Sequence, residues 1–173
     1  MGRAALDEYL YLMDEAFDGD DWHSLMTNVK AVGSDEWLWV APGGVRPIAE
    51  MVSHVAGCKN MYQDHAFGPG MLTWADPRAA QNLPDPTSAA IEAVRGRLVD
   101  AQLRLRASVD ALGDDAELFR RRKTNWGELK ETRWIIKALI EHDLYHAGEI
   151  NHQRSLSRAD DRWAFDRSGR VDG

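Results

Sequence analysis

The segment at residues 131–156, ETRWIIKALIEHDLYHAGEINHQRSL, restricts the fold of this chain more than any other feature. Its apolar residues recur every three or four positions, which is the period of an α-helix with one buried face. At 3.6 residues per turn, that face carries Ile135 and Leu139 and then His142 and His146. The buried stripe therefore becomes polar in its middle, where a helix bundle would ordinarily place leucine or isoleucine.

The rest of the chain shows the same helical period, and no segment alternates apolar and polar residues over the length of a strand. We therefore predict an all-α fold, a four-helix bundle with long crossover connections, of up-down-down-up type. The predicted helices occupy about residues 6–32, 47–67, 87–112 and 131–156. Gly19 is expected to break the first helix, with a neighbouring aspartate capping its second half, and Thr87 to cap the third.

The chain length of 173 residues predicts one domain spanning residues 1–173, with a bundle core at about 20–156. The tail at residues 157–173 is charged and ends in glycine. It is expected either to wrap the surface through Trp163 and Phe165 or to fray.

The formal net charge of −7 disfavours binding to a nucleic-acid backbone. The basic run at residues 120–123 lies beside acidic residues and is expected to be a solvated loop. No apolar stretch approaches the ~20 residues of a membrane span, and the acidic, amphipathic N-terminal segment is unlike a secretory signal. With a single cysteine, Cys58, these features favour a cytoplasmic protein without membrane or nucleic-acid partners.

Three histidines are candidate ligands of a metal ion. His142 and His146 are four residues apart, so their side chains lie on the same helical face, about 5–6 Å from each other. His54 lies at the centre of a similar, mostly apolar stripe on the second helix. Because packed helices lie about 8–10 Å apart, His54 can complete a set that one helix cannot supply. Three protein ligands leave a position open for water or substrate, which is typical of a catalytic site.

The alternative is that these side chains are core histidines that only hydrogen-bond a neighbour, since short His-x-x-x-His motifs are common by chance. Burying imidazoles without partners, however, would cost on the order of a few kcal/mol each. That cost is large against a total stability of ~5–15 kcal/mol for a domain. The spacing of the pair by itself thus favours the core-histidine alternative, and the cost of burial shifts the balance towards metal binding.

Several neighbours of these histidines have candidate roles. Glu149 shares their face and is expected either to orient a ligand imidazole or to act as general base, the alternative being an ion pair with an arginine. Asp143 lies about 100° off the stripe, which favours a helix–helix contact, or a hydrogen bond to one of the metal-binding side chains, over direct metal binding. Tyr145 borders the stripe and is expected to pack in the core. Cys58 could supply a thiolate ligand, but burial as a free cysteine is favoured.

The other histidines are not expected to join the site. His65 lies eleven residues after His54, which is about 16 Å along a helix. His152 lies off the stripe of its helix, and the orientation of His23 stays open. Four tryptophans near helix ends are expected to pack beneath loops, or in one or two cases to wall a pocket over the site: Trp37, Trp39, Trp74 and Trp126.

Three segments resemble the DinB/YfiT-like superfamily of metalloenzymes: WHSL at residues 22–25, SHVA at residues 53–56 and, above all, EHDLYHAGEI at residues 141–150. The similarity covers about residues 20–156. It implies a four-helix bundle with a long crossover, in which one histidine of the second helix and a His-x-x-x-His pair of the fourth bind the metal. The ligands implied here are His54, His142 and His146, and none departs from the family's pattern.

Characterised members of that superfamily include thiol-dependent transferases and isomerases that use bacillithiol or mycothiol. The resemblance therefore implies a metal-dependent S-transferase or isomerase that acts on a small molecule with a low-molecular-weight thiol. The alternatives are a metal-dependent hydrolase, with Glu149 as a catalytic residue, and a non-enzymatic stress or interaction protein with a structural or vestigial metal site. Zinc or nickel is the expected ion, with iron, cobalt or copper as further possibilities. A homodimer formed through an exposed helix face is also expected.

Overall fold

The structure is a computed structural model that describes residues 2–80 and 87–159. Within these residues it is mostly helical, with one short antiparallel hairpin. The elements are α1 (Ala4–Asp14), α2 (Leu25–Lys30), α3 (Ile48–Tyr62), α4 (Ser88–Asp110), β1 (Arg121–Lys123), β2 (Leu129–Glu131) and α5 (Thr132–Arg158). Turns of π-helix extend α1 over Glu15–Gly19 and α3 over Gln63–Phe67, and a 3₁₀ helix, Asp115–Phe119, precedes β1. Because α1 and α2 together form the first helical region, the bundle has four helical layers.

Helices α3 and α4 run parallel to each other. Lys59 donates to Oε1 of Gln102 at 2.7 Å, and one turn further on Nε2 of Gln63 donates to Oγ of Ser108 at 3.2 Å. The contact positions therefore advance in the same direction along both helices. Two consecutive parallel helices require a connection that returns along the bundle.

Helix α5 runs antiparallel to α3. Arg46, just before α3, lies 3.2 Å from the carboxylate of Glu149, whereas Lys59, near the end of α3, lies 2.6 Å from Asp143. Later positions on α3 thus face earlier positions on α5. This register is what brings a residue in the middle of α3 to the middle of α5.

Helix α1 runs antiparallel to α4, as two ion pairs at opposite ends of their contact show. Arg3 pairs with Asp110 at 2.9 Å, and Asp14 pairs with Arg106 at 2.8 Å. The first helical region and α5 therefore point one way, while α3 and α4 point the other. This arrangement confirms the predicted four-helix bundle of up-down-down-up type.

The connection between α3 and α4 returns along the side of α3 as far as residue 80. Nδ2 of Asn60 donates to the carbonyl oxygen of Arg78 at 2.8 Å. Gly57 permits the close approach, because a methyl group at this position would lie 2.7 Å from the carbonyl oxygen of Ala79. The segment thus forms the long crossover that two parallel helices need.

Two apolar clusters fill the bundle, and the histidines of α5 fall between them. One cluster contains Ala147, together with side chains of α2, α3 and α4. The other contains Leu139, together with side chains of α1 and α4. Because His142 and His146 lie between these positions along α5, the polar site is held between two regions of close packing.

The basic run at residues 120–123 is mostly exposed, as predicted, but it forms a strand rather than a loop. Residues 121–123 form β1, which pairs with β2 in the register Arg121 with Glu131. The side chain of Arg122 is only 12% exposed and lies 2.7 Å from Glu117. Strands of three residues are too short to show an alternating pattern, so hydrophobic periodicity could not predict this hairpin.

The predicted helix break at Gly19 and the cap at Thr87 are confirmed, the latter by a 3.2 Å bond from the amide of Ala90. The expectation that an aspartate caps the second half of the first region is wrong, because Ser24 is the N-cap of α2.

The predicted tail contacts of Trp163 and Phe165 lie outside the described residues. In the part of the chain that the structure describes, no helix combines the length and apolar character required to span a bilayer.

Candidate metal centre

The antiparallel register of α3 and α5 brings three imidazole rings together. Nε2 of His142 lies 3.3 Å from Nε2 of His54 and 3.1 Å from Nε2 of His146. One ring nitrogen of each histidine lies within 4.8 Å of the others, so the group could hold a metal ion. Among the described residues, no other set of three histidine, cysteine, aspartate or glutamate side chains meets this criterion.

The nitrogen separations fit a small tetrahedral ion. Around such an ion, with nitrogen ligands at about 2.0–2.1 Å, neighbouring ligand nitrogens lie about 3.3 Å apart. The two Nε2–Nε2 distances, 3.3 Å and 3.1 Å, are close to this edge length. The rings themselves are tilted by 58° to 82° to one another, so they converge on a point without stacking.

The environment keeps the imidazoles of His142 and His146 neutral. Burial, as the largest cause, and the nearby rings of His146 and His54 together lower the pKa of His142 to about 3. Burial also lowers the pKa of His146, although the carboxylate of Glu149 opposes this effect. A neutral imidazole has a lone pair on one ring nitrogen, which is the form that binds a metal ion.

Glu149 determines which nitrogen of His146 carries the proton. Oε2 of Glu149 lies 2.7 Å from Nδ1 of His146, so Nδ1–H donates to the carboxylate and Nε2 is left with its lone pair. Oε2 of Glu149 also accepts from Arg46 at 3.2 Å, which confirms the expected ion pair with an arginine. The carboxylate therefore lies on the edge of the ring opposite the point where the three Nε2 atoms meet.

Cys58 lies beside the three histidines without completing their set. Its Sγ lies 3.5 Å from Nε2 of His54, but it is not among the ligand atoms that lie mutually within 4.8 Å. The thiol is half-buried and free, and burial raises its pKa to about 12. It is therefore protonated at neutral pH, and within the described residues no fourth side chain closes the group.

The remaining histidines lie elsewhere, as expected. His65 lies in the π-helical turn that extends α3, and its Nε2 is 2.9 Å from the carbonyl oxygen of Leu72. His152 is exposed on α5. The open question of His23 is answered by its side chain, which is 79% exposed beside Asp20.

Asp143 makes the helix–helix contact that its position favoured. Its Oδ2 accepts from Nζ of Lys59 at 2.6 Å, and both side chains are at most 3% exposed. Neither Lys59 nor Arg46 was predicted from the sequence. A signal for Lys59 was present, because it lies four residues after Val55 and seven after Val52, on the buried stripe of α3. A lysine at such a position predicts a buried anionic partner.

Two expectations about aromatic residues are wrong. Tyr145 is 66% exposed rather than packed in the core, although its ring lies 5.0 Å from that of His146. Trp74 and Trp126 are 44% and 49% exposed, whereas Trp37, at 1%, is buried as expected. Whether a residue at the edge of a helical stripe is buried depends on which other segments pack against it. The hydrophobic period of the sequence does not specify those segments.

Comparison with known proteins identifies the family. No curated protein and no solved structure matches the chain. The model of the DinB superfamily matches residues 20–150, which include α2, α3, α4 and all three histidines of the centre. This match covers more than half of the 173 residues, and the chain therefore belongs to the DinB superfamily.

Proposed function

We propose that this protein is a metal-dependent transferase or isomerase, in which His54, His142 and His146 bind one divalent ion and a low-molecular-weight thiol is the co-substrate. Zinc and nickel are the ions proposed. The observation that carries the proposal is the convergence of three imidazoles, with Nε2–Nε2 distances of 3.1 Å and 3.3 Å and no fourth protein ligand among the described residues. Such a set leaves a position for a small molecule, as in catalytic sites.

A divalent ion held at this point would bind a thiol as the thiolate and so supply a strong nucleophile at neutral pH. The protein's own task is then to hold His146 in the correct tautomer, which Glu149 does by accepting from Nδ1. Arg46 neutralises the Glu149 carboxylate and keeps it in place. We therefore assign Glu149 an orienting role.

This arrangement of Glu149 supports the thiol reaction over hydrolysis. Hydrolysis at a metal centre is assisted by a general base within hydrogen-bonding reach of the attacking water. Both interactions of the Glu149 carboxylate, with His146 and with Arg46, are on the Nδ1 side of the ring. A thiol, with an ordinary pKa of about 8.5, needs no such base once it is bound as the thiolate.

The metal assignment is tested by elemental analysis of the purified protein. We expect close to one divalent ion per chain, and loss of that ion in the double variant His142→Ala, His146→Ala. The matched control is the double variant His65→Ala, His152→Ala, which removes two histidines outside the centre and should keep the metal. Stoichiometric metal in the first double variant would overturn the assignment.

The reaction is tested by screening mycothiol, bacillithiol and glutathione against model electrophiles and following thioether formation. We expect transfer with at least one thiol, loss of activity after chelation, and recovery with zinc or nickel. Hydrolysis of model esters or amides without any thiol transfer would favour the hydrolase. Absence of both activities in protein that carries stoichiometric metal would favour the non-enzymatic alternative.

A homodimer is proposed as well, and an apolar cleft supports it. The cleft, of about 280 Å³, lies between α2 and α5 and is lined by Trp22, Leu144 and Ala147. Leu144 is 42% exposed. Light scattering should give twice the chain mass, and Leu144→Glu should shift it towards the monomer. A monomeric mass for the unaltered protein would contradict this proposal.

A further inference from the structure

A polar cluster lies at the centre of the bundle and involves all four helical layers. Nζ of Lys59 on α3 donates to Oδ2 of Asp143 on α5 at 2.6 Å and to Oε1 of Gln102 on α4 at 2.7 Å. The same ammonium lies 5.2 Å from the ring of Phe17, in the π-helical turn that extends α1. The Lys59 and Asp143 side chains are 1% and 3% exposed.

The cluster is adjacent to the metal centre in both helices that supply the ligands. Asp143 directly follows His142 on α5, and Lys59 lies five residues after His54 on α3. Because an α-helix is stiff over one or two turns, the positions of Lys59 and Asp143 fix those of the histidines on the same helices. No contact between the ion pair and the three Nε2 atoms is needed for this effect.

Stability is a poor explanation for a buried ion pair. Removing two charges from water is costly, and well-packed apolar residues of similar volume often stabilise a protein equally well or better. A buried pair does, however, penalise any arrangement that separates the charges. Its best-attested role is to select one helix register from several that apolar packing would tolerate.

We propose that Lys59 and Asp143 are positioning residues that set the register of α3 against α5 and so hold His54 against His142 and His146. This inference rests on the proposed metal site. Apolar side chains can slide past one another by fractions of an ångström, whereas ligand distances in a metal site must lie within about 0.2 Å of their ideal values. The ion pair supplies a discrete reference point, because the 2.6 Å contact is lost when either helix shifts or rotates.

The test compares two buried ion pairs that both involve α5. The first double variant is Lys59→Met, Asp143→Leu, which replaces the central pair by apolar residues. The control is Glu36→Leu, Arg154→Met, which removes a pair with both side chains 2% exposed, eleven residues further along α5. Each protein is loaded with Co²⁺ as the probe, whose visible absorption reports the coordination geometry, and its affinity is measured by chelator competition.

We expect the Lys59, Asp143 variant to fold, as judged by helical circular dichroism and cooperative unfolding of the metal-free protein. Its Co²⁺ affinity should fall by about tenfold or more, with an altered visible spectrum, while the control keeps the spectrum and affinity of the unaltered protein. Unchanged Co²⁺ affinity and spectrum in the central variant would overturn the positioning role. Absence of Co²⁺ binding by the unaltered protein would instead overturn the metal site itself.

If the apolar double variant does not fold, the isosteric single variant Asp143→Asn replaces it. This change keeps the shape and a hydrogen-bond acceptor but removes the charge that fixes Lys59. We expect a smaller loss of Co²⁺ affinity, about threefold or more, with a shifted spectrum. Retention of full affinity and spectrum by Asp143→Asn would overturn the proposal.

Discussion

The carboxylate of Glu149 lies 2.7 Å from Nδ1 of His146, on the side of the ring opposite Nε2. Nε2 of the same ring lies 3.1 Å from Nε2 of His142. One imidazole thus bridges an anionic hydrogen-bond acceptor and the point where the three rings converge. Carboxylate–histidine pairs of this kind raise the basicity of a ligand and restrict its rotation.

Replacing Glu149 by alanine should lower the affinity for a divalent ion by about 10–100-fold, because His146 loses the acceptor that fixes its tautomer. Glu149→Gln should lose less, since its amide oxygen can accept the same hydrogen bond. Competition with a coloured chelator measures the metal affinity of both variants. The control is Glu141→Ala on the same helix, whose carboxylate pairs with Lys137 at the surface. Equal affinities in Glu149→Ala and in the unaltered protein would rule out an orienting role.

Cys58→Ser should retain one metal ion per chain, whereas His54→Ala should lose it. The two side chains are neighbours, with Sγ 3.5 Å from Nε2 of His54, but only the histidine belongs to the converging set. Elemental analysis of both variants decides the matter. Loss of metal in Cys58→Ser would indicate a closed, structural site.

Glu36 should make the protein sensitive to acid. Burial by itself raises the pKa of this carboxyl, but bonds from Arg158, from the amide of Gly33 and from Arg154 bring it down to about 2. The unfolded chain therefore takes up this proton near pH 4.5, well before the folded protein does. The stabilisation is complete above that pH and is lost as the pH falls towards 2, by about 3 kcal/mol in all.

Urea unfolding between pH 2 and 6 tests this expectation. The free energy of unfolding of Glu36→Gln should be lower at neutral pH and should depend less on pH than that of the unaltered protein. The control is Glu92→Gln, which alters a carboxylate that is 68% exposed beside Arg95. An equally steep acid dependence in Glu36→Gln would show that other groups account for it.

Gly57→Ala and Gly96→Ala should have opposite effects on stability. A methyl group at residue 57 would lie 2.7 Å from the carbonyl oxygen of Ala79, so the crossover segment must move, at about 1–3 kcal/mol. At residue 96, in the middle of α4, a methyl group would contact nothing within 4 Å, and the helix should gain about 0.5–1 kcal/mol. Thermal unfolding of the two variants is the measurement. Equal stabilities would contradict the close approach of the crossover to α3.

Much of the fold could be predicted from local patterns. The 3.6-residue period predicted the helices, Gly19 and Thr87 predicted a break and a cap, and the four-residue spacing placed His142 and His146 on one face. Such features depend on residues close together in the chain, so the sequence contains them directly.

The sequence by itself thus determined the helical layers, the candidate ligands and the polar stripe of α5. The tertiary structure alone decided which residues form the ion pairs Lys59–Asp143 and Arg46–Glu149. It also decided that Cys58 lies outside the set of three converging histidine nitrogens. The two ion pairs join segments far apart in the chain, and the position of Cys58 relative to the site depends on where α5 places His142 and His146. Their formation depends on the register of α3 against α5, and that register arises from packing of the whole bundle rather than from either helix alone.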